Sequence, residues 1–186
     1  MSIPIEREIR LRFESLDTAR IAVHKVGATA LRSRRLQDDR LVDWADSRLR
    51  ESRCVLRIRK EDGAVTLTFK GPPKLAVMKV REELETVVGE AEVLLTMLDR
   101  LGLRVWFRYQ KFREEYELPG LILAIDETPI GMFVELEGEE HAIEETAHSM
   151  GRTPVDYVLE SYRGLFVKDR KARGLPITDM IFDNSL

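Results

Sequence analysis

The chain has 186 residues, 44% hydrophobic and 34% charged. That length and balance suit one soluble globular domain with a substantial core. With 30 Lys and Arg against 33 Asp and Glu, the formal net charge is -3, so nothing global draws the chain to nucleic acid or to a membrane surface. No apolar run approaches the roughly 20 residues that span a bilayer. Charges begin at Glu6 with no apolar signal core before them, and the single Cys54 forms no internal disulfide, so a reducing, cytoplasmic setting is expected.

The first predicted strand is Glu6-Arg7-Glu8-Ile9-Arg10-Leu11-Arg12. At strand spacing Glu6, Glu8, Arg10 and Arg12 share one face, and Ile5, Ile9 and Leu11 share the other, with Arg7 out of pattern. Two carboxylates followed by cations at the same step could hold a metal ion and the anion it accompanies. Ser15 then caps a predicted helix through Ala19, Ala22, Val23 and Val26, stopped by Gly27. A basic loop around Arg32, Arg34 and Arg35, read as solvated, leads to a second strand over residues 37–43.

In Val55–Arg59, Arg57 and Arg59 oppose Leu56 and Ile58. Cys54 takes the parity of Leu56 and has no histidine nearby in sequence, which disfavours a nucleophilic role. Asp62-Gly63 marks a hairpin into a strand where Thr66, Thr68 and Lys70 oppose Val65, Leu67 and Phe69, and Gly71-Pro72-Pro73 ends that ladder. Arg81, Glu83 and Glu85 then alternate with Glu82, Leu84 and Thr86.

Residues 89–101 predict an amphipathic helix through Val93, Leu94, Met97 and Leu98, closed by Gly102. Lys111, Arg113 and Glu115 share one face of a long extended run that ends at Leu118-Pro119-Gly120. Asp126 lies opposite Leu123 and Ile125, and Phe133, Glu135 and Glu137 oppose Met132, Val134 and Leu136. A helix over residues 140–150 and a second, opened by Thr153-Pro154 and running to about Leu165, follow. In the tail, residues 168–186, Ile181 and Phe182 are placed to dock on the body.

Each strand alone has the pattern of a wet outer face. Together they suggest one shared polar interior. About eight strands with a few helices predict an α+β protein built on an antiparallel sheet or barrel. His24, His141 and His148 fall on helices outside these strands, and Trp44 and Trp106, which could stack on a base, read first as core packing.

The ordered motifs resemble the CYTH family of triphosphate tunnel metalloenzymes, which includes class IV adenylate cyclases and thiamine and inorganic triphosphatases. Glu6, Glu8 and Arg10 match its Glu-x-Glu-x-Lys; Gln37 and Asp39 match Gln-x-Asp; residues 56–59 match Leu-Arg-Ile-Arg; and residues 68–72 match Thr-x-Lys-Gly-Pro. Arg81, Glu83 and Glu85 match Arg-x-Glu-x-Glu, and Lys111 with Arg113 matches Lys-x-Arg. Asp126 matches the buried acid of the next strand, and Gly131, Phe133, Glu135 and Glu137 match Gly-x-Phe-x-Glu-x-Glu. Ser161-Tyr162 fits the signature of the terminal helix. Two positions depart from the pattern: Arg10 stands for the usual lysine, and Leu41 for an aromatic.

The resemblance implies an eight-stranded antiparallel β-barrel with flanking helices, one domain over residues 1–186 with a core of about 3–166 and a tail of about 167–186. It implies a tunnel that holds a small-molecule triphosphate or nucleotide with Mg²⁺ or Mn²⁺. Arg10, Arg57, Arg59, Lys70, Lys111 and Arg113 would contact phosphate, with Arg81 second in rank, since a triphosphate's about four negative charges need several cations in a desolvated cavity. Glu6, Glu8, Asp126, Glu135 and Glu137 would be hard oxygen ligands for the metal, and Glu83 and Glu85 would brace the arginines, with binding of a second ion as their alternative role. Lys111 is the expected proton acceptor, because lysine, unlike arginine, can lose its proton near neutral pH. Hydrolysis of inorganic triphosphate or a small organic triphosphate leads. Cyclisation of ATP to cyclic AMP and pyrophosphate, and a non-catalytic polyphosphate- or nucleotide-binding module, are the alternatives. A homodimer stays open as an assembly.

Overall fold

A computed structural model describes residues 4–74 and 76–183. Its strands are β1 (Ile5–Phe13), β2 (Thr29–Trp44), β3 (Val55–Glu61), β4 (Ala64–Lys70), β5 (Lys79–Val88), β6 (Leu103–Leu118), β7 (Leu121–Thr128) and β8 (Gly131–Gly138). They close an antiparallel barrel in the order β1-β5-β4-β3-β2-β6-β7-β8, the expected eight-stranded architecture. The helices are α1 (Leu16–Lys25), α2 (Arg48–Glu51), α3 (Ala91–Arg100), α4 (Glu140–Ser149) and α5 (Tyr162–Ala172). No helix of the described residues is long and apolar enough to cross a membrane.

The apolar strand faces point outward, and helices cover them. Ile9 and Leu11 of β1, Leu123 and Ile125 of β7 and Val134 and Leu136 of β8 pack under α1 and α4, where Val23 and Ile143 are fully buried. Val42, Ile58 and Val65 pack under α3. The hydrophobic effect acts through these outer layers, which leaves the charged faces to the interior.

Local chemistry sets the connections. Asp62 and Gly63, at φ 48° and 79°, give the two positive-φ positions of a tight hairpin. Ser15 accepts from the Thr18 amide and Thr18 caps back, so α1 starts with a reciprocal capping box.

Two expectations are corrected. The basic segment around Arg32 to Arg35 is part of β2, not a loop: Arg32 and Arg34 are solvated as expected, but Arg35 is buried and bridges Glu61 and Glu115. The helix expected from Thr153 to Leu165 is only a 3₁₀ turn, Pro154–Asp156, because Val158 instead donates its amide to the Arg10 carbonyl. The true helix, α5, starts later, where Ser161 accepts from the Gly164 amide at 3.1 Å. Trp106 packs against the cluster of Phe107, Phe133 and Tyr162, as expected, and it also lines the internal cavity described below.

The tail does dock. β7 pairs with β6 only from Phe112 onward, which leaves the edge at residues 108–110 open. Met180 covers it, donating to the Arg108 carbonyl at 3.0 Å and accepting from the Gln110 amide at 2.9 Å. Phe182 lies 5.1 Å from the Phe112 ring centroid.

Candidate active site

The register sets opposite charges directly across the barrel wall. Arg10 faces Glu135, Asp39 faces Arg59, Lys70 faces Glu83, Glu6 faces Arg81 and Arg113 faces Asp126. Cross-strand pairs of this kind hold side chains in fixed positions. They surround a cavity of about 590 Å³, a volume in the range of small-molecule sites.

On one wall Arg113 grips Asp126 with two hydrogen bonds of 2.7 and 2.6 Å and reaches Glu135 at 2.8 Å. Arg10 holds the other Glu135 oxygen at 2.7 Å and Glu8 at 2.8 Å, and donates to the Glu160 carbonyl at 3.1 Å. Asp126 is wholly buried and also accepts from Lys111 at 2.7 Å and from the Tyr162 hydroxyl at 2.6 Å. Burial raises the pKa of Asp126 and Glu135, but Arg113 and the neighbouring cations outweigh it and hold both below the usual carboxylate range. Lys111 is moved the other way: burial first, then Arg113, pushes its ammonium down to about 8.

The opposite wall is built on β3, β4 and β5. Arg59 grips Asp39 at 2.8 and 3.1 Å. Arg57 reaches Thr68 at 3.2 Å and Glu85 at 3.4 Å, while its buried Nε has no hydrogen-bond partner. Lys70 lies 2.7 Å from Glu6 and 2.8 Å from Glu83, and Arg81 lies 3.3 Å from Glu6.

Between the walls, carboxylate oxygens of Glu6, Glu83 and Glu137 all lie within 4.8 Å of one another. Burial, with repulsion from Glu135 and Glu6, pushes Glu137 up to about 7. Among the described residues its carboxylate has no salt bridge or hydrogen bond. A cluster of hard oxygen donors short of one positive charge fits a divalent cation of the Mg²⁺ or Mn²⁺ type.

The predicted residues thus share one cavity, but in unequal positions. Glu6, Glu8, Glu83, Glu85, Glu135 and Glu137 line it, whereas Asp126 lies behind Lys111, Arg113 and Tyr162, its oxygens occupied by donors. Glu83 lies 3.7 Å from Arg57 and 2.8 Å from Lys70, and it also enters the three-carboxylate cluster, the second of its two expected roles.

Sequence reasoning passed over Lys79. It is half-buried, lines the cavity and meets Arg10 on the same Glu8 oxygen. Burial first, then Arg10 and Arg81, lowers its pKa despite Glu8. The signal was its parity with Arg81, two residues on. Tyr162 and Asp39 were matched as motif residues without a role; the structure gives both buried ion-network contacts.

Residues 4–162 match the family model of the CYTH domain. A Methanocaldococcus jannaschii protein, named as a candidate adenylate cyclase, is 31% identical over 134 residues, 72% of this chain and 76% of that relative. A Vibrio parahaemolyticus structure, described as a candidate adenylate cyclase, superposes with a TM-score of 0.77 at 17% identity, covering 89% of this chain and 99% of that one. A Hippeastrum structure, described as a candidate adenylyl cyclase with a dominant triphosphatase activity, superposes at 0.61 with 20% identity over 92% and 97% of the two chains. The closed barrel, the charge-lined cavity and the family match over the whole barrel agree: this chain belongs to the CYTH domain family.

Proposed function

We propose that the chain is a divalent-metal-dependent triphosphatase that hydrolyses inorganic triphosphate or a small organic triphosphate. The observation that carries this reading is the juxtaposition of the three-carboxylate cluster, Glu6, Glu83 and Glu137, with cations on both cavity walls. Carboxylates beside a polyanion repel it unless a cation comes between, and the cluster supplies the place for one.

Arg57, Arg59, Lys70, Lys79, Arg81, Arg113 and Arg10 bind and orient the phosphate chain. A divalent cation held by these carboxylates would supply charge neutralisation and polarisation of the phosphoryl oxygens. Phosphoryl transfer needs little covalent help from a protein, so positioning and charge neutralisation carry most of the rate. Lys111 in its neutral form takes the proton of the attacking water, while Asp126 holds its Nζ in place. Asp126 serves as this anchor rather than as a metal ligand, since its oxygens already accept from Lys111, Arg113 and Tyr162. Glu6, Glu83 and Glu137 are the principal ligands, with Glu8 and Glu135 adjoining.

The M. jannaschii relative's name points to cyclisation of ATP, and the Hippeastrum description to hydrolysis. One assay separates them: purified protein with Mg²⁺ or Mn²⁺ and inorganic triphosphate, thiamine triphosphate or ATP, following phosphate, pyrophosphate and cyclic AMP. Phosphate release is expected. Cyclic AMP with pyrophosphate would make the chain a cyclase, and tight binding without product a binding module.

A further inference from the structure

The cavity extends past the phosphate clamp to a mouth lined by Arg50, Arg53, Trp106 and Arg163, none of which the motifs contain. Trp106 arrives there through a β-bulge. Leu41 pairs with Phe107 and Val42 with Val105, so Trp106 is the extra residue, and the bulge turns an outward position toward the cavity. Arg163, in the first turn of α5, sets its guanidinium carbon 4.6 Å from the Trp106 ring centroid, and Arg50 sets its own at 4.3 Å. Arg53 follows α2 in a left-handed conformation at φ 58°, a placement that costs backbone energy in a non-glycine residue.

These cations are unevenly compensated. Arg50 is paired with Asp43 at 3.0 Å. Among the described residues Arg53 and Arg163 have no carboxylate partner, and the buried Nε of Arg163 has no hydrogen-bond partner. Burial and the nearby Arg50 both disfavour the charged form of Arg163, so the mouth holds positive charge that the protein leaves unneutralised. The N-terminus of α5, with Ser161 at the rim of the same space, adds its positive dipole end. Stacking on the indole fixes the guanidinium planes, which cuts the ordering cost of gripping a planar or tetrahedral oxyanion.

We propose that this mouth is a second anion subsite, which binds a phosphate group at the organic end of a substrate whose triphosphate lies in the tunnel. The proposal rests on the triphosphate reading above and narrows it to organic triphosphates phosphorylated at both ends.

Calorimetric titration in the presence of Mg²⁺, with imido groups in place of the bridging oxygens of each probe so that no turnover is expected, tests it with three probes: inorganic triphosphate, adenosine 5′-triphosphate, and adenosine 5′-triphosphate carrying a 3′-phosphate. The 3′-phosphate is expected to tighten binding by about tenfold or more, the worth of one charge-assisted contact. Arg163→Gln and, separately, the surface change Arg53→Gln should each erase most of that gain, with inorganic triphosphate affinity held within about threefold. Equal affinity for the two nucleotides in a protein that binds inorganic triphosphate overturns the subsite and leaves the tunnel reading standing. Equal loss for all three probes in both variants makes these arginines part of the inner clamp and also overturns it. Failure of the unaltered protein to bind any probe overturns the triphosphate reading beneath it.

Discussion

The Tyr162 hydroxyl donates to Asp126 Oδ2 at 2.6 Å, and through that contact α5 is tied to the barrel wall that holds Lys111 and Arg113. Phe166 of the same helix packs on Phe107, and Tyr162 on Phe133. Closure of this barrel end and alignment of the buried ion network are therefore one event.

Tyr162→Phe keeps the ring and removes the donor. It is expected to cost about 1–3 kcal/mol, the penalty for leaving a buried acceptor short of a partner, with a matching fall in the denaturation midpoint. Asp126→Ala, which strands Lys111 and Arg113, should cost more, about 3–5 kcal/mol. Equal stability of Tyr162→Phe and the unaltered protein would show that the hydroxyl contact contributes nothing net.

Glu137 makes metal binding pH-dependent. Its pKa is raised to about 7, above the unfolded value of about 4.3, so between those values the folded chain holds a proton that the unfolded chain lacks. Stability of the metal-free protein therefore falls as pH rises through that window. Mg²⁺ binding needs the ionised form, so its stabilisation in thermal denaturation should be clearly larger at pH 8 than at pH 6. Glu137→Gln should remove most of that difference; a metal effect independent of pH would exclude Glu137 as a ligand.

Lys111, with its ammonium pushed down to about 8, is expected to give a rate that rises with pH through about 8 as the neutral amine forms. Lys111→Arg retains the charge and cannot lose a proton, so turnover at saturating substrate should fall by about a hundredfold or more and the rise near pH 8 should vanish. Intact turnover in Lys111→Ala would end the assignment of Lys111 as base.

Lys79 is expected to bind phosphate, sharing Glu8 with Arg10. Lys79→Met should weaken inorganic triphosphate binding by about tenfold to a hundredfold with circular dichroism unchanged. An unaltered Kd would confine Lys79 to bracing Glu8.

Strand parity was enough to sort Glu6, Glu8, Arg57, Lys111 and Glu135 onto polar faces, because the side-chain period of a strand is two and survives any tertiary arrangement. The motif order then pointed to the family and to a barrel. The start of α5 was misread because Thr153-Pro154 carries a good local capping signal, yet the chain beyond it is held extended by a bond to Arg10, a partner distant in sequence. That Trp106 lines the cavity as well as packing on the core was not legible, because a bulge reverses its parity.

The sequence by itself determined which residues are charged toward one interior, since amphipathic period is a local property. Only the tertiary structure decided which carboxylates keep their negative charge against cations and which meet one another. Asp126 and Glu137 look alike along their strands, but β6 gives Asp126 an arginine and a lysine and α5 gives it a tyrosine, whereas barrel closure sets Glu137 against Glu6 and Glu83. That difference arises from barrel closure, because Coulomb energy depends on distance in space and the neighbours that count are contributed by strands far apart in the chain.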